Sequence, residues 1–303
     1  YFTGWYQDFD NGRELTVENL DATGQNVLRR SDNTWRTLDM AGTPTTLPSG
    51  VSTHQTNLDC ALTATKVTLS DTNQVSLTTF AYNGFANQSD IYEYDVGASG
   101  SGVEGPLLRR SHTDFVTDPA YTSNTSPYLL GLPSQQWISS DSAGVNKVSL
   151  TTFEYDNYAT DARHAPLVDR ANITGLCLKL DDAATNCLQA SDTSYVSRGN
   201  ITQVTSYANI SSNVVIRTAT QFDIAGNDVK AIDGRGYPTT MVYADAFGTA
   251  DLEARCNTAS SQLNGQPTFA FVTSSTNAMG HTSFMQYNYD TGLPVNQEDA
   301  NGT

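Results

Sequence analysis

FDIAGNDVKAIDGRGYPTTMVY, running from Phe222 to Tyr243, carries one turn signal twice: an acid, two variable residues and a glycine, at Asp223–Gly226 and again at Asp233–Gly236. Aspartate opening a type I turn accepts a hydrogen bond from the backbone two residues on, and a glycine three residues later supplies the positive φ that closes a hairpin. The flanking residues, RTATQF before Asp223 and YPTTMVY after Gly236, are rich in Val, Thr, Tyr and Phe, which suit a pleated surface. The stretch therefore predicts strand, reversal, strand, reversal, strand.

The same signal recurs along the chain with little else in common around it. It reads DATG from Asp21, DMAG from Asp39, DSAG from Asp141, NAMG from Asn277 and DANG from Asp299. The turn residues expected to act are Asp141 with Gly144, Asp223 with Gly226, Asp233 with Gly236, Asn277 with Gly280 and Asp299 with Gly302, each glycine at positive φ. An aromatic residue precedes an aspartate at Phe9-Asp10, Tyr94-Asp95, Tyr155-Asp156, Phe222-Asp223 and Tyr289-Asp290. A longer echo joins NQVSLTTFAYNGFA from Asn73 to NKVSLTTFEYDNYA from Asn146, which marks a duplication. In the second copy Val148, Leu150 and Thr152 fall on one strand face and Ser149, Thr151, Phe153 and Tyr155 on the other. Both faces carry bulk, as in a sheet that coils around its own interior.

Aromatic-Asp pairs, the Asp-x-x-Gly turns and the segment TNAMGHTSFMQYNYDTGLP from Thr276 together make the chain resemble the bacterial RHS or YD-repeat family. The match is close from Thr218 to Thr303, present from Asp71 to Thr174 and thin over the first seventy residues. The resemblance implies an all-β fold, an antiparallel repeat sheet coiled into a shell or solenoid of β-hairpins, in one continuous region over residues 1–303. It also implies a secreted or surface-exposed protein. In toxin-type members such a shell encloses a C-terminal effector and ends in an aspartate-proline-glycine motif. Here Asp118-Pro119 sits in DPAYTSNTSP with no glycine to complete that motif, and the sequence stops within a repeat at Asn301-Gly302-Thr303.

Composition agrees with a turn-rich β chain. Ser and Thr make up about a fifth of the residues, Asp far outnumbers Glu, and lysine is scarce, which disfavours helix. A formal net charge of −16 opposes binding to a phosphate backbone, so nucleic acid is excluded as a partner class. No apolar run approaches the ~18 residues of a membrane helix.

Motifs with chemical meaning weigh little. Gly100-Ser-Gly102-Val-Glu-Gly105 fits G-x-G-x-x-G, but LLRRSHTDF follows as a strand where a dinucleotide site needs a helix, so a flexible loop is expected. Asp8-Phe-Asp10-Asn11-Gly12 lacks the spacing of a calcium loop, and Asp181-Asp182 reads as a solvated hairpin tip. His54, His112, His164 and His281 are scattered, with no zinc spacing among them and no nucleophile elbow nearby. Neither a catalytic residue, a metal site nor a cofactor is expected. Cys177 and Cys187 flank LKLDDAATN, a hairpin connection that would set them opposite each other, either bridged or as two buried thiols; the spacing leaves Cys60 and Cys256 unassigned. The sequons at Asn87, Asn124, Asn172, Asn200, Asn209 and Asn301 are no more numerous than this composition gives by chance. Trp5, Trp35 and Trp137 are read first as packing residues and second as sugar-stacking platforms.

The expected function is thus a non-enzymatic structural or interaction module of an extracellular or cell-surface repeat protein, self-associating or binding other surface proteins. Edge strands assembling into a filament would suit that role. Two rivals stand beside it: a fragment of a toxin-encapsulating shell, and a glycan-binding or carbohydrate-active surface protein.

Overall fold

The computed structural model describes residues 12–38, 41–45, 60–123, 127–170, 177–180, 187–190, 193–248 and 267–303, with residues 44–45, 177–180 and 187–190 described by their backbone alone. The described chain is all-β and antiparallel, with a single four-residue helical turn, α1 (Pro119–Thr122). It divides into two compact units: Tyr1–Thr122, Tyr128–Thr152 and Tyr207–Val214 make one, and the remaining residues the other.

In the first unit the strands are β1 (Thr16–Leu20), β2 (Val27–Leu38), β3 (Pro44–Thr45), β4 (Cys60–Leu69), β5 (Gln74–Tyr82), β6 (Gln88–Tyr94), β7 (Leu107–Phe115), β8 (Pro133–Ser139) and the start of β9 (Lys147–Tyr155). Each pairs with its neighbour in sequence, except that β3 folds back on β2 and β4 then takes the next place beside β2. Where the reversal is short, as between β4 and β5 or β5 and β6, serial pairing is dictated because the next strand meets no other edge, while the longer connections after β6 and β7 also return to the neighbouring edge.

The second unit holds the end of β9, the first six residues of β12 (Ile201–Asn209), β13 (Val214–Phe222) from its second residue on, β14 (Asp228–Ile232), β15 (Pro238–Val242), β16 (Ser274–Thr276), β17 (Thr282–Asn288) and β18 (Leu293–Glu298), again in sequence order, while β10 (Cys177–Leu180) and β11 (Cys187–Ala190) form a separate hairpin. The 22-residue stretch quoted first spans the end of β13, all of β14 and β15 and both turns between them, in the register Ala231↔Thr220 and Ala231↔Thr239. Its core is small: Leu167, Phe222 and Ile224, with Tyr158 packed against them.

The echo pair shows how tertiary neighbours alter one sequence. Val75, in the first copy, is 1% exposed, whereas Val148, its counterpart, is 68% exposed. The difference comes from the loop that follows β6. Gly97 N–H donates to the Val75 carbonyl at 2.8 Å, Gly100 N–H to Thr72 at 2.7 Å and Gly102 N–H to Asn73 at 3.1 Å, folding the glycine-rich segment over the β4–β5 turn. The loop is packed where a flexible connection was expected: a Cβ on Gly97 would lie 1.8 Å from the Val103 carbonyl oxygen. Strand β7, not a helix, follows Gly105 and Pro106.

Candidate functional site

The repeated unit is a hydrogen-bonded box. At Asp223 the backbone N–H donates across the turn to the Asn227 carbonyl at 3.0 Å, and Gly226 N–H donates to the Asp223 carbonyl at 3.1 Å. Asp223 Oδ1 accepts from the N–H groups of Ala225 (2.9 Å) and Asn227 (2.8 Å). The same four bonds recur at Asp233, at Asn277 and at Asp299, with Oδ1 accepting from residues two and four further on. Gly144, Gly226, Gly236, Gly280 and Gly302 have φ of +73°, +86°, +89°, +82° and +80°. That the amide of Asn277 performs like the carboxylates shows that the box needs an acceptor oxygen rather than a charge. Charge nonetheless adds something: the converging N–H groups hold the carboxyls of Asp141 and Asp299 down to about 2, and Thr23 and Asn26 push Asp21 lower still.

One unit lacks the glycine and escaped the sequence pattern. In Asn83-Gly84-Phe85-Ala86-Asn87, Asn83 Oδ1 accepts from Phe85 N–H at 2.9 Å and Asn87 N–H at 3.0 Å, and Ala86 stands at φ +58° where the others carry glycine. The recognisable signal is the asparagine that closes several boxes, here Asn87 and elsewhere Asn146 and Asn227.

A polar row crosses β6, β7 and β8 in the first unit, where the register sets Asp90 opposite His112 and His112 opposite Trp137. Arg110 Nε donates to Asp90 Oδ1 at 2.7 Å, and both side chains are largely buried. The His112 ring lies with Nδ1 2.6 Å from Asp90 Oδ1 and Nε2 2.9 Å from Asp114 Oδ1, and stacks on Trp137 with centroids 4.5 Å apart. Arg110 and Lys147 approach the same indole at 4.9 and 5.0 Å. A Cβ on Gly144 would fall 2.5 Å from the indole Cη2, so the turn at Asp141 seals the ring's edge. Because the two imidazole nitrogens face different carboxylates, the cluster staples strands and does not converge on one point as metal ligands must. Among the described residues no group of three His, Cys, Asp or Glu side chains is placed to hold a metal ion.

In the second unit the turn at Asp223 is the centre of a knot. Asp223 is fully buried. Besides its own turn it accepts from Arg170 through Nε at 2.7 Å and Nη2 at 2.6 Å, and the guanidinium lies 4.7 Å over Phe269. Burial and the Asp223 charge together raise the nearby Asp228 carboxyl. A second carboxylate, Asp156 at φ +53°, accepts from Tyr158 Oη (2.6 Å) and from the N–H groups of Arg198 (2.7 Å), Gly199 (2.7 Å) and Asn200 (3.0 Å). Burial, then the Asp156 carboxylate, drives the Tyr158 phenol strongly upward. Near the other end, a surface groove of about 460 Å³ is lined by Val242, Asp245, Thr273, Phe284, Met285 and Glu298, but Asp245 is committed to Thr268 N–H (2.7 Å) and Tyr289 Oη (3.2 Å).

The remaining sequence candidates fall as follows. β10 and β11 do form a hairpin, but its register pairs Cys177 with Ala190 and Cys187 with Leu180. The two cysteines are thus three positions apart along the ladder, ~10 Å of strand, beyond the ~7 Å Cα separation a disulfide spans, and the expectation that they face each other is corrected. Asn87 Nδ2 donates to the Leu130 carbonyl and Asn200 Nδ2 to Tyr158 Oη, so both sequon amides serve the fold, whereas Asn209 and Asn301 are exposed. Trp137, 7% exposed, offers no face to a sugar. Trp35 donates through Nε1 to the Glu14 carbonyl and lies under Arg13. His281 N–H donates to the Asn277 box. Trp5, His54, Asn124, Asn172, Asp181, Asp182, Cys256, the Asp8–Asn11 segment and Asp39 lie outside the described residues.

No protein-family model matches the sequence, and no curated protein matches it by sequence. Solved structures match it by fold. The fold is similar to TcdB2-TccC3 without its hypervariable C-terminal region, at a TM-score of 0.52 and 11% identity over 96% of this chain. It is also similar to TcdB2-TccC3 itself (0.50, 10% identity, 95% of this chain) and to TcdB2-TccC3-Cdc42 (0.51, 10% identity, 96% of this chain). This chain spans 15 to 16% of the length of those chains.

Proposed function

We propose that this chain is a stretch of wall from an RHS-type β-sheet shell, a structural and interaction element of a larger secreted protein. The observation that carries this reading is the serial order of hairpins closed by the Asp-x-x-Gly box, which builds sheet and assembles no catalytic constellation from the described side chains. Fold likeness to TcdB2-TccC3 over almost the whole chain supports it, and a hypervariable C-terminal region in that protein suits a wall built around a changeable cargo. The role is non-enzymatic, and its partners are proteins: neighbouring wall segments and whatever the wall surrounds. Among the described residues no helix is long and apolar enough to cross a membrane.

Electron cryomicroscopy of the natural, full-length polypeptide tests this. The expected image is a hollow particle whose wall contains the strands of this chain. Filaments joined through the edges of β1 and β18, or a solid domain with those edges capped, would refute the shell reading, the former in favour of a surface filament.

A further inference from the structure

In the second unit the stretch from Asn157 to Arg170 forms a strap with no paired strand of its own beyond a single bridge at Val168. Its far end is anchored by apolar burial and by charge: Leu167 is 7% exposed in the core, Val168 N–H donates to the Phe222 carbonyl at 3.1 Å, and Arg170 pairs with Asp223. Its middle is held at two neighbouring residues: at Arg163, whose guanidinium donates to the Arg217 carbonyl at 2.8 Å and whose carbonyl accepts from Gln221 Nε2 at 3.1 Å, and at His164 through its ring. His164 is 7% exposed, and its two ring nitrogens reach outward to carboxylates at the rim, Nδ1 to Asp161 Oδ2 at 2.9 Å and Nε2 to Glu154 Oε2 at 3.1 Å. Asp161 is half exposed and Glu154 39% exposed, so protons exchange with solvent through the rim.

A neutral imidazole carries one hydrogen and donates to one partner; an imidazolium donates from both nitrogens. With a carboxylate on each side, the charged ring makes two charge-assisted bonds and the neutral ring at most one, leaving the other nitrogen lone pair against a carboxylate oxygen. We infer that His164 is a proton-operated latch that holds the middle of the strap on β9 while the imidazole is charged and loosens it when the proton leaves.

The surroundings favour this ring over the other bracketed histidine. Facing His164 from its own segment are Asp161 and Arg163, from β9 Glu154, and from β12 Gln203, whose Nε2 lies 3.3 Å from Glu154 Oε2. Asn157 Nδ2 occupies Glu154 Oε1 at 2.8 Å. The Arg163 guanidinium is turned away to the Arg217 carbonyl of β13 at 2.8 Å, so the cation closest in sequence does not neutralise the pair of carboxylates. His112, by contrast, has Arg110 Nη2 3.4 Å from Nδ1, a fixed cation that already serves Asp90. The His164 bond is also the largest influence holding the Asp161 carboxyl down to about 2, which keeps that partner ionised throughout the range in which imidazoles titrate. The latch is therefore closed while the ring is charged and opens on the alkaline side, once its proton has left.

Two measurements on the whole chain test it. Imidazole nitrogen NMR should show both His164 nitrogens protonated at about pH 5, on the acid side of the ordinary imidazole range; a single neutral tautomer there would overturn the proposal. Amide hydrogen exchange of residues 157–166, corrected for intrinsic rates and referenced to β14, should lose about tenfold in protection between about pH 5 and about pH 8.5, a span that brackets the ordinary imidazole range, on the scale of one charge-assisted bond. In Glu154→Gln the fold is kept and one carboxylate is neutralised, so the loss should move to lower pH; His164→Gln should abolish its pH dependence. An unchanged profile in Glu154→Gln, or a flat one in the wild-type chain, would sink the latch.

Discussion

Asp223 and Asp233 occupy the same position in consecutive copies of the same turn, and their replacement by alanine should cost very different amounts. At Asp233, which is exposed, Asp233→Ala removes two backbone bonds, from Arg235 and Tyr237, whose N–H groups can turn to water. That loss should be about 1 kcal/mol. At Asp223 the carboxylate is fully buried and also receives both Arg170 contacts and the Asn227 amide at 3.0 Å. Asp223→Ala leaves Arg170, with 16% of its side chain exposed, as a cation without its counter-charge. Removing one partner of a buried ion pair costs about 3 to 5 kcal/mol, because desolvation of the survivor is no longer offset. The two stranded turn donors add to this. Urea unfolding followed by circular dichroism measures both variants, and the double variant Asp223→Ala with Arg170→Met should recover a substantial part of the loss. Equal costs for Asp223→Ala and Asp233→Ala, or no recovery in the double variant, would refute the claim that the ion pair decides the energetics of that turn.

Three further outcomes follow from the turn geometry. Ala86→Gly should raise stability by about 0.5 to 1 kcal/mol, since the left-handed backbone at φ +58° strains any Cβ, and an upward shift of the urea midpoint checks it. Gly144→Ala should destabilise more than Gly236→Ala although both have positive φ: the added methyl meets Trp137 at 2.5 Å in the first and open space in the second, and near-ultraviolet circular dichroism should report the displaced indole in Gly144→Ala only. Acid should weaken the boxes. Because the folded-state carboxyl of Asp299 is lowered to about 2 from an unfolded value near ~4, its contribution is complete above that unfolded value and is lost as pH falls toward 2. Asp299→Asn retains the acceptor oxygen, as Asn277 does, and should flatten that part of the dependence of the urea midpoint between about pH 4.5 and about pH 2.

What the sequence determined by itself is whatever depends on neighbours within about five residues. An Asx oxygen capping N–H groups two and four positions on, and a glycine at positive φ, are local choices, and repeated often enough they fix strand, reversal and serial antiparallel pairing before any long-range contact forms. The all-β antiparallel architecture was legible for that reason. The unit at Asn83 was not, because Ala86 tolerates a strained conformation that no local signal announces. Tertiary structure decided the rest, since burial and ion pairing join residues far apart in the chain. It buried Asp223 under Arg170, 53 positions away, and left Asp233 in solvent. It covered Val75 with the loop after β6 and bared Val148 in an almost identical strand. It brought Glu154 and Asp161 to opposite sides of His164, and slid Cys177 out of register with Cys187. A turn signal states which way the chain goes next, but the dielectric around a carboxylate or an imidazole is set by whatever segment returns to cover it.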